Sequence, residues 1–336
     1  MKTPFHPYHF EGADTEFNNS DFTRSALDTF RYQYEGNPVY RRFVDILGRS
    51  PQEVRHLEDI PFLPIRFFKS HKVVTGNDPV RRVFRSSGTS ASGDSLHHVT
   101  DTGLYDRSLM AGFGRNYGDP RNWCILALLP NYLEKGDSSL VYMADQWMRA
   151  GGHSDSGFYL DQFDRLHETL KRLEAAGQQT LLLGVTYALL DFSERFPGRL
   201  EHVVVMETGG MKGRKREMIR AEVHDILKER WQLEAIHSEY GMTELLSQAY
   251  APTDGLFSTP PWMRVLIRAE DDPFDKTAIA LDQPVTGLVD IIDLANRNAC
   301  AFVSTDDVGR LYPDGRFEII GRLDNSDLRG CSLLAI

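Results

Sequence analysis

The sequence predicts an α/β fold, with mostly parallel sheets covered by helices plus a C-terminal β-rich subdomain. Three observations predict it. Beyond Val83, short apolar runs of strand character alternate with segments of helical period. From about residue 260 the texture changes to strands and turns without long helices. The chain has 336 residues, 41% hydrophobic and 26% charged, which suits a globular protein with a sizeable core and excludes disordered, collagenous and low-complexity classes.

Residues 1–80 are expected to form a helical and extended segment packed on the core. The stretch FTRSALDTFRYQYEGNPVYRRFVDILG places its apolar residues at helical spacing. In EDIPFLPIRFFKSHKV, Pro61 and Pro64 forbid a continuous helix while Phe62, Leu63, Ile65, Phe67 and Phe68 demand burial. Residues 81–336 then form the core, β-rich from about 260. Its clearest strands are RVFRSS, NWCILALL, QTLLLGV, EHVVVM and QLEAIHS. Between them, DQFDRLHETLKRLEAAG sets Phe163, Leu166, Leu170 and Leu173 on one helix face and stops at Gly177. GRKREMIRAEVHDILKERW does likewise with Met218, Ile219, Val223, Ile226 and Leu227. The later strands are MRVLIRA, GLVDIIDL, CAFVS and RFEIIG. Ligand sites in such a fold are expected at the carboxyl ends of parallel strands.

Charge and apolar patterning exclude several partners. The 38 basic and 48 acidic residues leave a net −10, which opposes attraction to phosphate backbones or anionic lipid, so no nucleic-acid partner is expected. The longest apolar runs, such as 123–129, fall far short of the roughly 20 residues of a membrane helix. Prolines, histidines and acids interrupt the N-terminal MKTPFHPYHFEGADTEF, so no signal core, no membrane span and a cytoplasmic location are expected. Cys124, Cys300 and Cys331 are odd in number and lack a C-x-x-C pair, which argues for separate thiols; Cys124 and Cys300 read as core residues.

Four motifs carry chemistry. Ser86-Ser87-Gly88-Thr89-Ser90-Ala91-Ser92-Gly93 follows a strand, and its glycines and hydroxyls suit either a phosphate cradle or a plain surface loop. A Walker loop is excluded because Asp94 occupies the lysine position, where a carboxylate repels phosphate. Glu239-Tyr240-Gly241-Met242-Thr243-Glu244 offers an aromatic ring, a close-approach glycine, a hydroxyl and a carboxylate suited to a nucleotide with its metal; a turn leading into a helix would explain it equally. Ser304-Thr305-Asp306-Asp307-Val308-Gly309-Arg310 sets acids at a strand end, where they could hold ribose hydroxyls or cap a turn. Gly321-Arg322-Leu323-Asp324 ends another strand with an arginine that is either a phosphate or ribose ligand or an ordinary exposed side chain.

In this order and wide spacing the four motifs resemble the adenylate-forming superfamily of acyl-CoA synthetases, adenylation domains and firefly-type luciferases, as does Glu207-Thr208-Gly209-Gly210 after VVVM. The resemblance implies that superfamily's large-domain fold, with ATP and Mg²⁺ as cofactors and a small carboxylic acid as substrate. It further implies that Ser86, Ser87, Gly88, Thr89 and Ser90 hold the leaving pyrophosphate and that Gly209 and Gly210 line the adenine pocket. Tyr240, beside Gly241, would stack on adenine, Thr243 touch the α-phosphate and Glu244 hold Mg²⁺. Asp307 would bind the ribose hydroxyls, with Arg322 close by. The superfamily's loop lysine is missing, leaving Lys212, His97 or His98 as substitutes. The sequence ends soon after GRLD, so the C-terminal lid domain of most members is expected to be lacking. That feature, with IPFLPIRFFKSHKV and LRGCSLLAI, makes the chain similar to the acyl-protein synthetases of the bacterial luminescence system (LuxE type).

In that family a cysteine near the C-terminus accepts the acyl group, and Cys331 is the matching position. Arg329 could favour its thiolate, and Gly330 its mobility. The implied activity is ATP-dependent activation of a carboxylic acid, a fatty acid by resemblance, with transfer to Cys331 and hand-over to an acyl-reductase or acyl-carrier protein partner. His237, just before the YGMTE motif, is a candidate hydrogen-bond donor to the acyl carboxylate, or a satisfied core histidine. Two alternatives stay open: an acyl-CoA or acyl-carrier ligase related to phenylacetate-CoA ligase, and a non-catalytic nucleotide-binding module.

Overall fold

A computed structural model describes residues 19–86, 93–130, 137–209, 218–270, 276–277 and 282–323. They fall into two compact units, one of Pro79–Pro260 and one of residues 19–78 with 261–323. The chain begins with helices α1 (Asn19–Gly36) and α2 (Pro38–Ile46), strand β1 (Leu63–Pro64) and the short helix α3 (Phe67–Ser70). It continues through β2 (Arg82–Arg85), β3 (Leu96–Val99), α4 (Thr102–Tyr117), β4 (Cys124–Leu128), α5 (Ser139–Gly151), β5 (Gly157–Phe158), α6 (Phe163–Ala175), β6 (Thr180–Gly184) and α7 (Thr186–Arg195). Then come β7 (Val203–Glu207), α8 (Arg220–Trp231), β8 (His237–Tyr240), β9 (Ala249–Ala251), β10 (Met263–Arg268), β11 (Lys276–Thr277), β12 (Val285–Asp293), β13 (Phe302–Leu311) and β14 (Phe317–Arg322).

In the 79–260 unit a six-stranded sheet runs in the order β5-β4-β6-β7-β8-β9. Every neighbouring pair is parallel except β8–β9. The apolar runs CILAL of β4 and TLLLG of β6 are buried at every position, as a parallel sheet covered on both faces requires. α6 buries Leu166, Leu170 and Leu173, each contributing about 1.5–3 kcal/mol of transfer free energy. The helix stops where Gly177 takes φ +66°, a left-handed conformation that glycine adopts without steric cost.

The other unit carries the β-rich region. Its sheet runs β1-β13-β12-β10-β11, with β14 added against β13, and only β1–β13 is parallel. The helical period of residues 22–48 resolves into two helices because Pro38 opens the second, with the Asn37 carboxamide oxygen accepting from the N–H groups of Val39 and Tyr40. Gln33, fully buried on α1, donates to the carbonyls of Asn296 and Arg297 and accepts from the Ala301 N–H. The Pro61/Pro64 segment is extended: β1 lies against Val303 and Ser304, and Phe62, Leu63, Ile65 and Phe68 are buried.

Several expectations are corrected. RVFRSS is not part of the parallel sheet; β2 and β3 form an antiparallel two-stranded sheet of their own. QLEAIHS forms a strand only from His237, so Glu239 and Tyr240 end β8 instead of following it. The SerThrAspAsp motif sits inside the ten-residue β13, where pairing with both β12 and β14 prolongs the strand past Asp307. On α8 it is Val223, His224, Leu227 and Trp231 that are buried, while Ile219, preceding the first turn, is exposed. The sequence reading also names no helix at α4, α5 or α7. Among the described residues no helix is long and apolar enough to cross a membrane.

Candidate functional site

In the 79–260 unit the carboxyl ends of β7 and β8 lie side by side, Glu207 opposite Ser238. Glu207 is buried at 2% exposure. Its Oε1 accepts from Arg220 Nε (2.9 Å) and lies 3.7 Å from His224 Nε2. Its Oε2 accepts from the Gly209 N–H (2.7 Å) and the Thr186 hydroxyl (3.1 Å). Burial alone would raise this carboxyl, but the hydrogen bond from His224, the charge of Arg220 and donors at Ser238 and Gly209 hold it down at about 2. One carboxylate thereby ties the turn after β7 to the first residue of α7 and the first turn of α8. Arg220 and His224 can both reach it because they stand four apart on one face of α8.

Glu239 is the second buried carboxyl, two residues from His237 on the same face of β8. It is the cross-strand partner of Tyr250, and its charge would reach Tyr105, which is hydrogen-bonded to Gln248, and Tyr117. Burial, reinforced by the charge of Glu207, pushes this carboxyl up to about 8, so it is neutral at pH 7. His237 shares a hydrogen bond between Nδ1 and the Tyr117 hydroxyl (3.2 Å), and burial with the nearby His224 pushes it down to about 4. At neutral pH the imidazole is therefore uncharged and can serve as a hydrogen-bond donor or acceptor, not as a cation.

The YGMTE segment leaves β8 under tight restraint. Tyr240 is buried with its ring 5.7 Å from Phe257, over which Arg220 sits at 5.0 Å. A Cβ on Gly241 would run into the end of the Glu239 side chain and approach the Gln248 side chain at 3.3 Å, so a larger residue there would displace the Glu239 carboxyl. His97 on β3, fully buried, donates through Nδ1 to the Thr243 carbonyl at 2.8 Å. That contact makes His97 a brace of the turn and removes it as a stand-in for the missing loop lysine. Glu244 is 4% exposed. Among the described residues no group of three or more His, Cys, Asp or Glu could hold a metal unaided. A single buried carboxylate in a braced turn nonetheless fits Mg²⁺, which takes one or two carboxylates and fills its shell with phosphate oxygens and water.

Where the SSGTS motif begins, the Ser86 N–H donates to the Ser95 carbonyl (3.0 Å) and the Ser95 N–H to the Ser86 hydroxyl (2.9 Å). Asp94 lies 3.6 Å from Arg85. Ser87, Gly88, Thr89, Ser90, Gly210, Lys212 and Cys331 lie outside the described residues. Cys124 and Cys300 are fully buried, and burial pushes their thiols up to about 11 and about 12, as suits inert core residues. In the other unit Asp307 and Arg322 are cross-strand partners of β13 and β14, with Arg322 Nε 3.7 Å from Asp307 Oδ1. The Thr305 hydroxyl accepts from the Asp307 N–H at 3.1 Å and donates to the Val289 carbonyl at 2.7 Å, fixing the strand at the acid.

The sequence reading missed Thr186, Arg220 and the tyrosines 105, 117 and 250. The i,i+4 pair Arg220/His224 after a strand ending in glutamate was the one available signal; the tyrosines converge from α4 and β9, beyond the reach of any local pattern.

The fold has known counterparts. A 2-hydroxyisobutyryl-CoA ligase, solved with 2-HIB-AMP and CoA, matches with a TM-score of 0.60 at 14% identity over 91% of this chain and 75% of its own. A long-chain-fatty-acid–CoA ligase from Archaeoglobus fulgidus matches with 0.52 at 13% identity, over 76% of this chain and 54% of its own. MatB from Rhodopseudomonas palustris, solved with ATP bound, matches with 0.52 at 14% identity, over 74% and 49%. The chain thus spans about half the length of the latter two. No family model matches it, and no curated protein matches it in sequence. The fold is that of an α/β domain shared with adenylate-forming acid–CoA ligases, and at these identities the likeness establishes the fold alone.

Proposed function

We propose that the chain activates a carboxylic acid with ATP and passes the acyl group to a thiol. The observation that carries this reading is the joint occurrence of the acid–CoA ligase fold with the SSGTS, YGMTE, STDDVG and GRLD motifs in that order. In the reaction, the carboxylate of the acid attacks the α-phosphorus of ATP and pyrophosphate leaves; the thiol then attacks the acyl carbon of the acyl-adenylate, forming the thioester and releasing AMP and the thiol proton.

The roles follow the motifs. Ser86 to Ser90 hold the departing pyrophosphate through hydroxyl and backbone N–H donors. Gly209, Gly210, Tyr240 and Gly241 take the adenine, and Asp307 the ribose hydroxyls, with Arg322 setting the orientation of the Asp307 carboxylate. Thr243 donates to the α-phosphate. Glu244 holds Mg²⁺, which neutralises developing phosphate charge when bound. His237, neutral and tied to Tyr117, orients the acyl carboxylate. Glu207 is a positioning residue that keeps Gly209 in place. A fatty acid as substrate, Cys331 as acceptor and a reductase or carrier as partner follow from the LuxE-type resemblance.

Incubation with labelled acid and ATP tests the division of labour. Cys331→Ser should keep ATP–pyrophosphate exchange and lose stable label on the protein. Loss of both activities contradicts the assignment, and label appearing on added coenzyme A instead of Cys331 favours an acyl-CoA ligase.

A further inference from the structure

Beside the β2–β3 hairpin the 79–260 unit has an open cleft of about 750 Å³, within the size range of small-ligand sites. Arg81, Arg82 and Arg85 line it, together with His98, Thr102 and Tyr142. The cross-strand register puts Val83 with His98 and Arg85 with Leu96, so the outward face of the hairpin carries Arg81 and Arg85 beside the imidazole. Three guanidiniums in one cleft stand out in a chain of net charge −10.

The positive charge is only partly compensated. Arg85 is 3.6 Å from Asp94, and Asp137 is the one carboxylate among the lining residues. Arg81 and Arg82 have no carboxylate partner among the described residues. Arg82 is nevertheless held in place: its guanidinium lies 4.5 Å over the Tyr142 ring and 5.4 Å from that of Phe84. Tyr142 is itself fixed, donating to Asp106 Oδ1 at 2.6 Å and stacking on Tyr105 at 5.4 Å. Thr102 opens the 16-residue α4, whose N-terminus is already capped by the Asp101 carboxylate accepting from the Leu104 N–H at 3.1 Å, so the arginines and not the helix dipole supply the attraction for an anion. A braced guanidinium fork loses little freedom on binding and matches tetrahedral oxyanions bidentately.

The geometry points to a binding site for the phosphate group of a small molecule in this cleft, held by the guanidiniums of Arg81, Arg82 and Arg85 that line it. Two sources share that chemistry, the polyphosphate of a nucleotide and the phosphate end of a phosphorylated thiol acceptor. The choice of these two sources rests on the proposed function, whereas the phosphate site itself is read by binding alone and stands or falls with inorganic pyrophosphate.

Phenylglyoxal labelling with peptide mapping tests it on the full chain, because the reagent reports each arginine separately. Inorganic pyrophosphate, ATP and coenzyme A, added singly, should protect Arg81 and Arg82 and leave the exposed Arg199 reactive; protection by ATP alone identifies a nucleotide source, and by coenzyme A alone the acceptor. Arg81→Gln and Arg82→Gln should each weaken binding of the protecting compound about tenfold, the loss expected for a charge-assisted contact. Arg199→Gln should leave it unchanged. If Arg82→Gln fails to fold, the exposed Arg81→Gln variant carries the test. Equal labelling with and without all three compounds overturns the proposal, as does protection by polyglutamate but not by any phosphate compound, which would make the cleft a docking face for an acidic protein.

Discussion

Glu207 and Glu239 are both buried and stand on neighbouring parallel strands of one sheet, yet the first is ionised and the second protonated at pH 7. Glu207 meets a guanidinium, an imidazole, a hydroxyl and a backbone N–H, and stays ionised at about 2. Glu239 meets tyrosines and the charge of Glu207, and stays protonated up to about 8. Both are buried, and the donor set decides the outcome. The charged carboxylate assembles the turns at the strand ends, and the neutral one fills the layer behind them.

Removing the charged member should have the largest effect. Glu207→Ala strands Arg220 and the Gly209 N–H without their acceptor, and a broken buried pair costs about 3–5 kcal/mol, readable by urea denaturation. A loss under about 1 kcal/mol would show that Glu207 does not organise these turns. Because its folded pKa lies below the unfolded value of 4.5, its contribution is fully present above that pH and is lost as pH falls from 4.5 through about 2. Glu207→Gln should lack that part of the acid transition.

The neutral member predicts the reverse pH trend. A carboxyl raised from 4.5 to about 8 binds a proton in the folded state that the unfolded chain has released, so its contribution is full below 4.5 and declines as pH rises through 8. Glu239→Gln mimics the neutral acid and should match wild type near pH 4.5. It should then gain on wild type by up to about 1.4 kcal/mol per pH unit until pH 8. Parallel stability curves for the two proteins would mean that Glu239 is ionised throughout.

The smallest expected effect lies in the other unit. Arg322 is 64% exposed in its pair with Asp307, and a solvated pair contributes about 0–1 kcal/mol. Arg322→Ala and Asp307→Asn should therefore barely change stability, while Asp307→Asn weakens ATP binding measured by calorimetry. Unchanged ATP affinity would remove Asp307 from the nucleotide-binding set.

The difference between these regions also marks what the sequence can disclose. β4 and β6 were legible because a strand buried on both faces must be apolar throughout, and the gap at Gly177 because a helix end needs φ above zero. The strands β10, β12, β13 and β14 were legible for the same reason of local pattern. α4 was not: its buried face sets Tyr105, Ser108 and Gly112 among Leu104, Leu109 and Phe113, so TGLYDRSLMAGFGRNY carries no continuous apolar stripe. Motif order disclosed Tyr240, Glu244 and Asp307 as candidates, since each sits within a few residues of its neighbours in chemistry. Thr186, Glu207 and Arg220 come together only through β7, α7 and α8, and no spacing rule links 186 to 220. Where β8 and β13 end was misjudged because pairing with neighbouring strands, not local composition, sets their length.

The central claim is acid activation, and ATP–pyrophosphate exchange with Mg²⁺ and a panel of fatty, aromatic and amino acids tests it most directly. The account predicts exchange that depends on one class of acid and is abolished in Glu244→Gln. ATP binding without exchange for any acid would contradict it and leave a nucleotide-binding module.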